Sequence, residues 1–172
     1  MKSIEWPQRR SPRLKDYDYT CEGAYFVTIC VQHRLCLFGD VIDGDLRPSD
    51  AGIMVAQWWE KLPDKYADVS LDAYVVMPNH FHGIVAMFRD ESRPSLTRIL
   101  QWHKTMTTND YIRGVKQHRW TPFPGKLWQP SFYDHIIRHE ESLDKTREYI
   151  ANNPSQWHLD KNDPENPHWE KL

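Results

Sequence analysis

Two histidines, His80 and His82, lie one residue apart in the otherwise apolar run YVVMPNHFHGIV, residues 74–85. Side chains alternate across a β-strand, so both imidazoles are expected on one face, with their Cα atoms roughly 6–7 Å apart. That spacing lets two imidazoles converge on one metal ion. Because two ligands leave a metal site incomplete, a third ligand and a reacting group must come from another part of the chain.

The last predicted helix, within HEESLDKTREYIANNP, offers both missing groups. Tyr149 and Asn153 are i,i+4 neighbours beside the apolar stripe of this helix, so they are expected to reach over the rim of the sheet together. A hard cation such as magnesium or manganese, held by two imidazoles and the Asn153 amide oxygen, keeps open positions for phosphate oxygens. A Tyr149 hydroxyl aimed in line at a phosphate that such an ion polarises would form a phosphotyrosyl ester.

Two alternatives to these assignments stay open at the level of the sequence. Asn153 directly precedes Pro154, so it could act as the C-cap of the helix, alone or in addition to binding metal. Tyr133, next to Asp134 and His135 in the segment SFYDHIIR, is a second candidate nucleophile that a neighbouring base could activate.

The elements that must position these residues follow from the apolar periodicity and the turn signals. Strands are predicted over 24–32, 71–77, 80–88 and 127–138, with a short hairpin around Asp43-Gly44. Helices are predicted from the cap Ser49 to about Leu62, where Pro63 ends the helix, and from Ser95 to Ile112, where Gly114 stops it. With the final helix, this order predicts an α+β fold: a single antiparallel sheet with helices packed on one face, ferredoxin-like or RNA-recognition-like, plus a C-terminal helix bearing Tyr149.

Length and composition narrow the class of protein. The 172 residues, with 40% apolar and 27% charged side chains, suit one soluble domain spanning 1–172. No stretch approaches the ~18 apolar residues of a membrane span, and the start of the chain lacks the apolar core of a signal peptide. The three cysteines form no CxxC pair, which argues against a disulfide framework or a cysteine zinc site. These features predict a reduced, cytoplasmic protein.

The distribution of charge indicates a nucleic-acid partner, although the net charge of −2 alone does not. A basic N-terminal segment, residues 1–20, is rich in arginine, whereas an acidic tail is predicted over 158–172. Residues 113–126 carry four cations and no acid, next to aromatic side chains. Cations with interleaved aromatics suit a single-stranded nucleic acid, because phosphates need positive charge and unstacked bases need flat partners. The candidate DNA-binding residues are Arg9, Arg10, Arg13, Lys116, Arg119, Trp120 and Lys126, with Trp128 as a further base-stacking candidate.

The segment PNHFH resembles the HUH motif of single-tyrosine nucleases, in which a bulky apolar residue separates two histidines. Together with LWQPSFYDHIIRHEESLDKTREYIANNP, it resembles the REP-associated tyrosine transposases of bacteria, relatives of the small single-strand transposases of insertion sequences. The resemblance extends over about residues 10–157. Insertion-sequence relatives usually carry glutamine where this chain has Asn153, and this difference favours the REP-associated branch.

The resemblance implies a role for each candidate residue. His80 and His82 match the metal-binding pair, Asn153 the third ligand and Tyr149 the nucleophile, with magnesium or manganese as the ion. It also implies a 5′-phosphotyrosine intermediate and a substrate of REP-like single-stranded DNA hairpins with a short guide sequence beside them. The N-terminal RRSPRLKDYDY resembles the segment that contacts that guide. The protein is then expected to act near the bacterial nucleoid as a monomer or homodimer.

Three other functions stay open. A sheet-based RNA or DNA binding module without chemistry would place aromatic side chains on the exposed face of the sheet, where this chain has His80 and His82. A zinc-dependent hydrolase would need a further ligand close in sequence, and none follows the HFH stretch at such spacing. A domesticated, inactive transposase would be expected to lack part of the His-His-Tyr set.

Overall fold

The central element of the molecule is a four-stranded antiparallel sheet, seen in a computed structural model that describes residues 23–88 and 94–166. Its four strands are β1 (Gly23–Cys30), β4 (Val69–Met77), β5 (His80–Met87) and β6 (Tyr133–Ile137). Their order in the sheet is β4-β5-β1-β6. Strands β4 and β6 therefore form the two edges, and β5 lies between β4 and β1.

Tight turns fix the register of the two hairpins that the sequence predicted. Strands β4 and β5 pair from Met77 opposite His80, so Pro78 and Asn79 form the connection. A separate hairpin joins β2 (Gly39–Ile42) and β3 (Asp45–Pro48). Its turn residues Asp43 and Gly44 have φ values of 54° and 82°, the positive values that favour Asp-Gly in two-residue hairpin loops.

The first helical region is two helices where the sequence predicted one. Helix α1 (Asp50–Glu60) begins as expected at Ser49, whose Oγ accepts a hydrogen bond from the backbone N of Gly52 at 3.2 Å. A second, short helix α2 (Leu62–Lys65) follows directly. Pro63 lies in its first turn, where the missing N–H costs no hydrogen bond, so this proline opens a helix instead of ending one.

Helix α3 (Leu96–His118) is longer than predicted, because Gly114 does not stop it. The chain leaves the helix at Arg119, which adopts a left-handed conformation with φ 59°. Trp120 then folds back onto α3, and its backbone N donates to the carbonyl of Gly114 at 3.3 Å. A Cβ atom on Gly114 would come within 2.1 Å of the Trp120 ring, so the glycine provides the space that this ring fills.

We therefore expect Gly114→Ala to destabilise the protein, although alanine is the better helix former by about 1 kcal/mol. The displaced Trp120 ring should cost about 1–3 kcal/mol, more than the gain in helix propensity. Chemical denaturation of Gly114→Ala, Trp120→Ala and the double variant measures this. In the Trp120→Ala background the same glycine substitution should become stabilising. A stabilising effect in the wild-type background would show that the ring is not held against the helix.

The segment before β6 is a loop anchored in the core, and the strand predicted over 127–138 is confined to Tyr133–Ile137. Trp128 is 4% exposed and its Nε1 donates to Thr107 Oγ1 at 2.9 Å, so the prediction that it stacks on bases is wrong. The Lys104 ammonium, on α3, donates to the carbonyls of Gln129 and Ser131 at 2.8 and 3.0 Å. These bonds fix the path of the chain into β6.

Helices cover both faces of the sheet. Helices α1 and α3 and one face of the sheet form the larger core, which includes Val55, Trp59, Phe81 and Leu100. The final helix, α4 (Glu140–Asn152), packs on the opposite face through a small cluster of Ile84, Ile137 and Ile150. Arg147 of α4 also binds the carboxylate of Asp72 on β4, at 2.9 and 2.6 Å. The predicted α+β architecture is confirmed, with α4 on the face of the sheet opposite to α1 and α3.

Residues 158–166, predicted as the start of an acidic tail, fold back against the sheet instead. The first two of them complete a short 3-10 helix (Trp157–Leu159), and Asn162, Asp163 and Asn166 are buried. No helix within 23–88 and 94–166 is long and apolar enough to cross a membrane.

Candidate functional site

The two histidines lie side by side on β5, facing the layer that holds α4. Their ring centroids are 4.5 Å apart, and the residues are 0% and 4% exposed for His80 and His82. Because β5 is hydrogen-bonded to a strand on both sides, the backbone that carries the pair is held in place along its length. The sequence prediction that both imidazoles share one face is confirmed by this geometry.

Neighbouring side chains orient both rings. His80 Nδ1 lies 3.0 Å from Asn79 Oδ1, and His82 Nδ1 lies 2.7 Å from Thr28 Oγ1. The Asn79 amide nitrogen is occupied as a donor, so its oxygen must accept and His80 must carry its proton on Nδ1. Neither Nε2 has a hydrogen-bond partner among the described residues, although both are buried. Two such orphaned nitrogens, each fixed by a bond at Nδ1, are the arrangement of metal-ligating histidines.

Burial keeps both imidazoles neutral. It lowers the pKa of His80 to about 3, and the Asn153 side chain opposes this shift only in part. Burial also holds the pKa of His82 well below its usual value, and the charge that His80 would carry acts in the same direction. Neutral imidazole is the form that binds a metal, so the pair is ready for a cation at physiological pH.

Tyr149 lies next to this pair, in the last turns of α4. Its ring is 5.4 Å from the His82 ring and packs edge-on against Phe26, with the centroids 5.8 Å apart. The side chain is 46% exposed, so its hydroxyl is accessible to a substrate. Partial burial and the negative charge of Asp160 raise the pKa of Tyr149. The phenol is therefore protonated at neutral pH and needs activation before it can attack.

Asn153 occupies the end of α4 and the wall of the site at once. Its backbone N donates to the carbonyl of Ile150 at 3.3 Å, so it does cap the helix. Its side chain is buried, close enough to His80 and Tyr149 to influence the pKa of both. The Oδ1 atom has no hydrogen-bond partner within the described part of the chain, which leaves an oxygen free for an ion.

A carboxylate that sequence reasoning missed completes the cluster. Asp160 follows the 3-10 helix and places Oδ2 3.8 Å from His80 Nε2. The ligand atoms of His80, His82 and Asp160 all lie within 4.8 Å of one another, so these residues could hold a metal ion. Trp157 covers the group, with its ring stacked 5.9 Å from that of His80. No sequence motif relates Asp160 to the histidines. The large apolar side chain of Trp157, three residues earlier, is a local indication that this segment packs against the rest of the protein.

A cavity of about 480 Å³ opens beside the cluster. Tyr149 and the second candidate nucleophile, Tyr133, both line this cavity. The cationic side chains of Arg34 and Lys161 also line it. The ammonium of Lys161 lies 5.8 Å from the centre of the Tyr133 ring, whereas the ring that contacts His82 is that of Tyr149. The cavity therefore brings together two tyrosine hydroxyls, residues that could hold a metal ion, and positive charge suited to a phosphate.

Among the predicted DNA-binding residues that the structure describes, Arg119 and Lys126 line two different depressions of the surface. Lys116 is exposed in the last turn of α3 and Arg119 caps that helix, where it lines a cleft with Asp40 and Asp50. Trp120 is half-buried against Gly114 and the Tyr111 ring, which limits the face it could offer to a base.

Lys126 lies apart from them, in a polar groove beside α3. Gln129 lines both this groove and the cavity of the candidate site, so the two adjoin at that residue. Arg9, Arg10 and Arg13 lie outside the described residues.

Comparison with known proteins shows which family and which fold this chain shares. A protein of Haemophilus influenzae whose function is uncharacterized is 37% identical over 165 residues, which is 89% of this chain and 92% of its own. A REP-associated tyrosine transposase bound to a REP hairpin has the same fold, with a TM-score of 0.62 at 20% identity over 87% of this chain and 77% of that one. The family model for IS200-like transposases matches residues 54–153, a range that contains both histidines, Tyr149 and Asn153. Since that match covers more than half of the chain, the protein belongs to the IS200-like transposase family.

Proposed function

We propose that this protein is a metal-dependent endonuclease and strand transferase that cuts single-stranded DNA hairpins of the REP type through a 5′-phosphotyrosine intermediate, in the bacterial cytoplasm. The observation that carries the proposal is the contact between Tyr149 and His82, whose rings are 5.4 Å apart beside two buried, unpartnered imidazole nitrogens. A nucleophile next to a cation site is the arrangement that attack on a phosphodiester requires.

His80, His82 and Asn153 are the proposed metal ligands, and the two neutral imidazoles with the free amide oxygen fit a divalent cation. When bound, a magnesium or manganese ion would polarise the scissile phosphate and stabilise the charge that develops on it. Asn79 and Thr28 hold the rings in position for this role.

Tyr149 makes the new bond in the proposed reaction. Its hydroxyl oxygen attacks the phosphorus, the bond from phosphorus to the 3′ oxygen breaks, and that oxygen leaves with a proton as a free 3′ hydroxyl. Tyr149 gives up its own proton to solvent in the open cavity. The phosphotyrosyl ester replaces one phosphodiester bond with another, so a new 3′ hydroxyl can reverse the step and rejoin DNA without ATP.

Hairpin DNA is proposed as the substrate because the fold is shared with a transposase bound to a REP hairpin. The cavity adds Arg34 and Lys161 as cations for the backbone phosphates near the cleavage point. Arg34 Nη1 donates to the carbonyl of Lys161 at 2.8 Å, which holds these two residues together at the mouth of the site.

Incubation with labelled single-stranded hairpins from the DNA that flanks its own gene tests the proposal. With manganese or magnesium present, we expect a cleaved product and a protein adduct on the 5′ end that survives a denaturing gel. Cleavage without an adduct would instead support a zinc-type hydrolase that uses His80, His82 and Asp160 to activate water. Tight binding without cleavage would support a domesticated binding module.

The groove beside α3 gives a further prediction about binding. Lys126→Ala should weaken binding to matched and guide-scrambled hairpins alike and lower the salt slope by about one, because a lysine on a phosphate reads no sequence. Lys65→Ala, on α2 at the opposite edge of the sheet, is the matched control.

Lys116→Ala and Arg119→Ala should act in the same way as Lys126→Ala if the DNA backbone continues along α3. Deleting residues 1–15, by contrast, should remove the preference for the matched guide, since Arg9, Arg10 and Arg13 are proposed to read it. Retention of that preference by the truncated protein would rule out the N-terminal segment as the reader.

A further inference from the structure

The C-terminal segment, residues 157–166, is fastened to the strand end that carries the histidines. The Asn79 amide nitrogen donates to the carbonyl of Asn162 at 2.7 Å, and Arg34 donates to the carbonyl of Lys161 at 2.8 Å. Asn79 is the same residue whose oxygen accepts the Nδ1 proton of His80. One amide therefore orients a metal-ligating ring and docks the segment beside it.

Within the segment, the two oxygens of Asp160 have different roles. Oδ1 accepts from the backbone N and the side-chain Nδ2 of Asn162, at 2.7 and 2.9 Å. Asn166 Nδ2 donates to the backbone carbonyl of Asp160 at 3.0 Å and closes the turn. These bonds use one carboxylate oxygen and the backbone, so Oδ2 is left to face His80 Nε2.

The contact between Asp160 and His80 directs a carboxylate oxygen at an imidazole nitrogen. Asp160 Oδ2 lies 3.8 Å from His80 Nε2, and the Asp160 side chain is only 11% exposed. His80 Nε2 has no hydrogen-bond partner among the described residues, because the ring donates to Asn79 Oδ1 from Nδ1. An imidazole nitrogen and a carboxylate oxygen that face each other in this way are both metal-ligand atoms, and a cation between them would bind to both.

We propose that Asp160 is a ligand of the ion held by His80 and His82, so that metal binding and docking of the 157–166 segment are coupled. The inference rests on the proposed function and deepens its metal site. It adds a negative charge to two neutral imidazoles, and a mixed imidazole and carboxylate set suits manganese. By linkage, an ion that binds through Asp160 stabilises the docked segment, and the docked segment raises affinity for the ion.

Calorimetric titration with manganese chloride tests the ligand. Asp160→Asn keeps an oxygen for the two bonds from Asn162 and removes the charge, so the turn should stay folded. We expect it to lower manganese affinity about 10- to 100-fold. Glu165→Gln removes an exposed charge from the same segment and should stay within about twofold of wild type.

Hydrogen exchange of residues 157–166, with and without manganese, tests the coupling. Manganese should slow exchange in the wild type and in Glu165→Gln but not in Asp160→Asn. Equal manganese affinity in wild type and Asp160→Asn, or no manganese-dependent protection of the segment in the wild type, would overturn the inference and leave the histidine site standing. No manganese binding by the folded wild-type protein would overturn the proposed metal site and this ligand together.

Discussion

Tyr149→Phe is expected to lower cleavage of hairpin DNA by at least about 10³-fold and to abolish the covalent adduct. The substitution removes only the hydroxyl oxygen that would form the new bond to phosphorus in the proposed reaction. The ring contacts with His82 and Phe26 remain available to phenylalanine, so the helix should keep its place. Denaturing gels measure the adduct, and binding titrations should show hairpin affinity within about twofold of wild type.

Tyr133→Phe is the matched control for this prediction. Tyr133 lines the same cavity and is 50% exposed, so its hydroxyl is also accessible to DNA. It lies on β6, however, and its ring faces the Lys161 ammonium at 5.8 Å. We expect the control to cleave. If Tyr133→Phe is inactive while Tyr149→Phe cleaves normally, the nucleophile is on β6 and not on α4.

Replacing both His80 and His82 with alanine should remove detectable manganese binding and, with it, cleavage. The remaining oxygen donors of Asn153 and Asp160 are too few to hold a divalent ion at micromolar concentration. Asn153→Ala should weaken binding less, because a neutral amide is a poorer ligand than an imidazole. Calorimetry measures all three proteins.

Thermal melts of the double histidine variant in the absence of metal provide the control for folding. Each histidine has a buried Nε2 without a hydrogen-bond partner among the described residues, which destabilises the metal-free protein. Replacing the side chain with alanine removes that cost but leaves a cavity, and the two effects on stability have opposite signs. Unchanged manganese affinity in a folded double variant would place the ion elsewhere in the protein.

The core of the site was predictable from sequence because its signals are local. The alternation of β5 puts His80 and His82 on one face, and the helical period puts Tyr149 and Asn153 on one edge of α4. The two pairs meet because α4 packs on the face of the central strand β5 that carries the histidines, and the sequence did not indicate which face α4 covers. These four residues could be identified from sequence because the period of a strand or helix determines on which face each side chain lies.

Asp160 was missed for the opposite reason. It lies in DKNDPENP, a polar run whose composition is typical of a solvated tail. The residues next to it hold it at the site: the carbonyls of Lys161 and Asn162 accept hydrogen bonds from Arg34 and Asn79, which are far away in the chain. Periodicity contains no information about such pairings, so only the folded structure brings this carboxylate to the histidines.

Two errors at Gly114 and Trp128 share a cause in packing. Glycine is a frequent helix stop, but here the helix continues because Trp120 occupies the space above Gly114. Trp128 was predicted to stack on bases because it follows the basic run 113–126. In the structure it lies in the core, where its indole N–H donates a hydrogen bond to Thr107. In both places tertiary contacts decided what local signals could not.

The two sides of the sheet carry packing layers of unequal size, so one face of the molecule is held more strongly than the other. Helix α4 is held by a cluster of Ile84, Ile137 and Ile150, whereas α1 and α3 share the extensive core. Each buried isoleucine contributes about 1.5–3 kcal/mol, so α4 can open locally at a cost well below that of global unfolding. Amide exchange should accordingly be faster in α4 than in α3. Because the residues that hold α4 lie outside the main core, we expect substitutions on this face to change the candidate site while the fold persists.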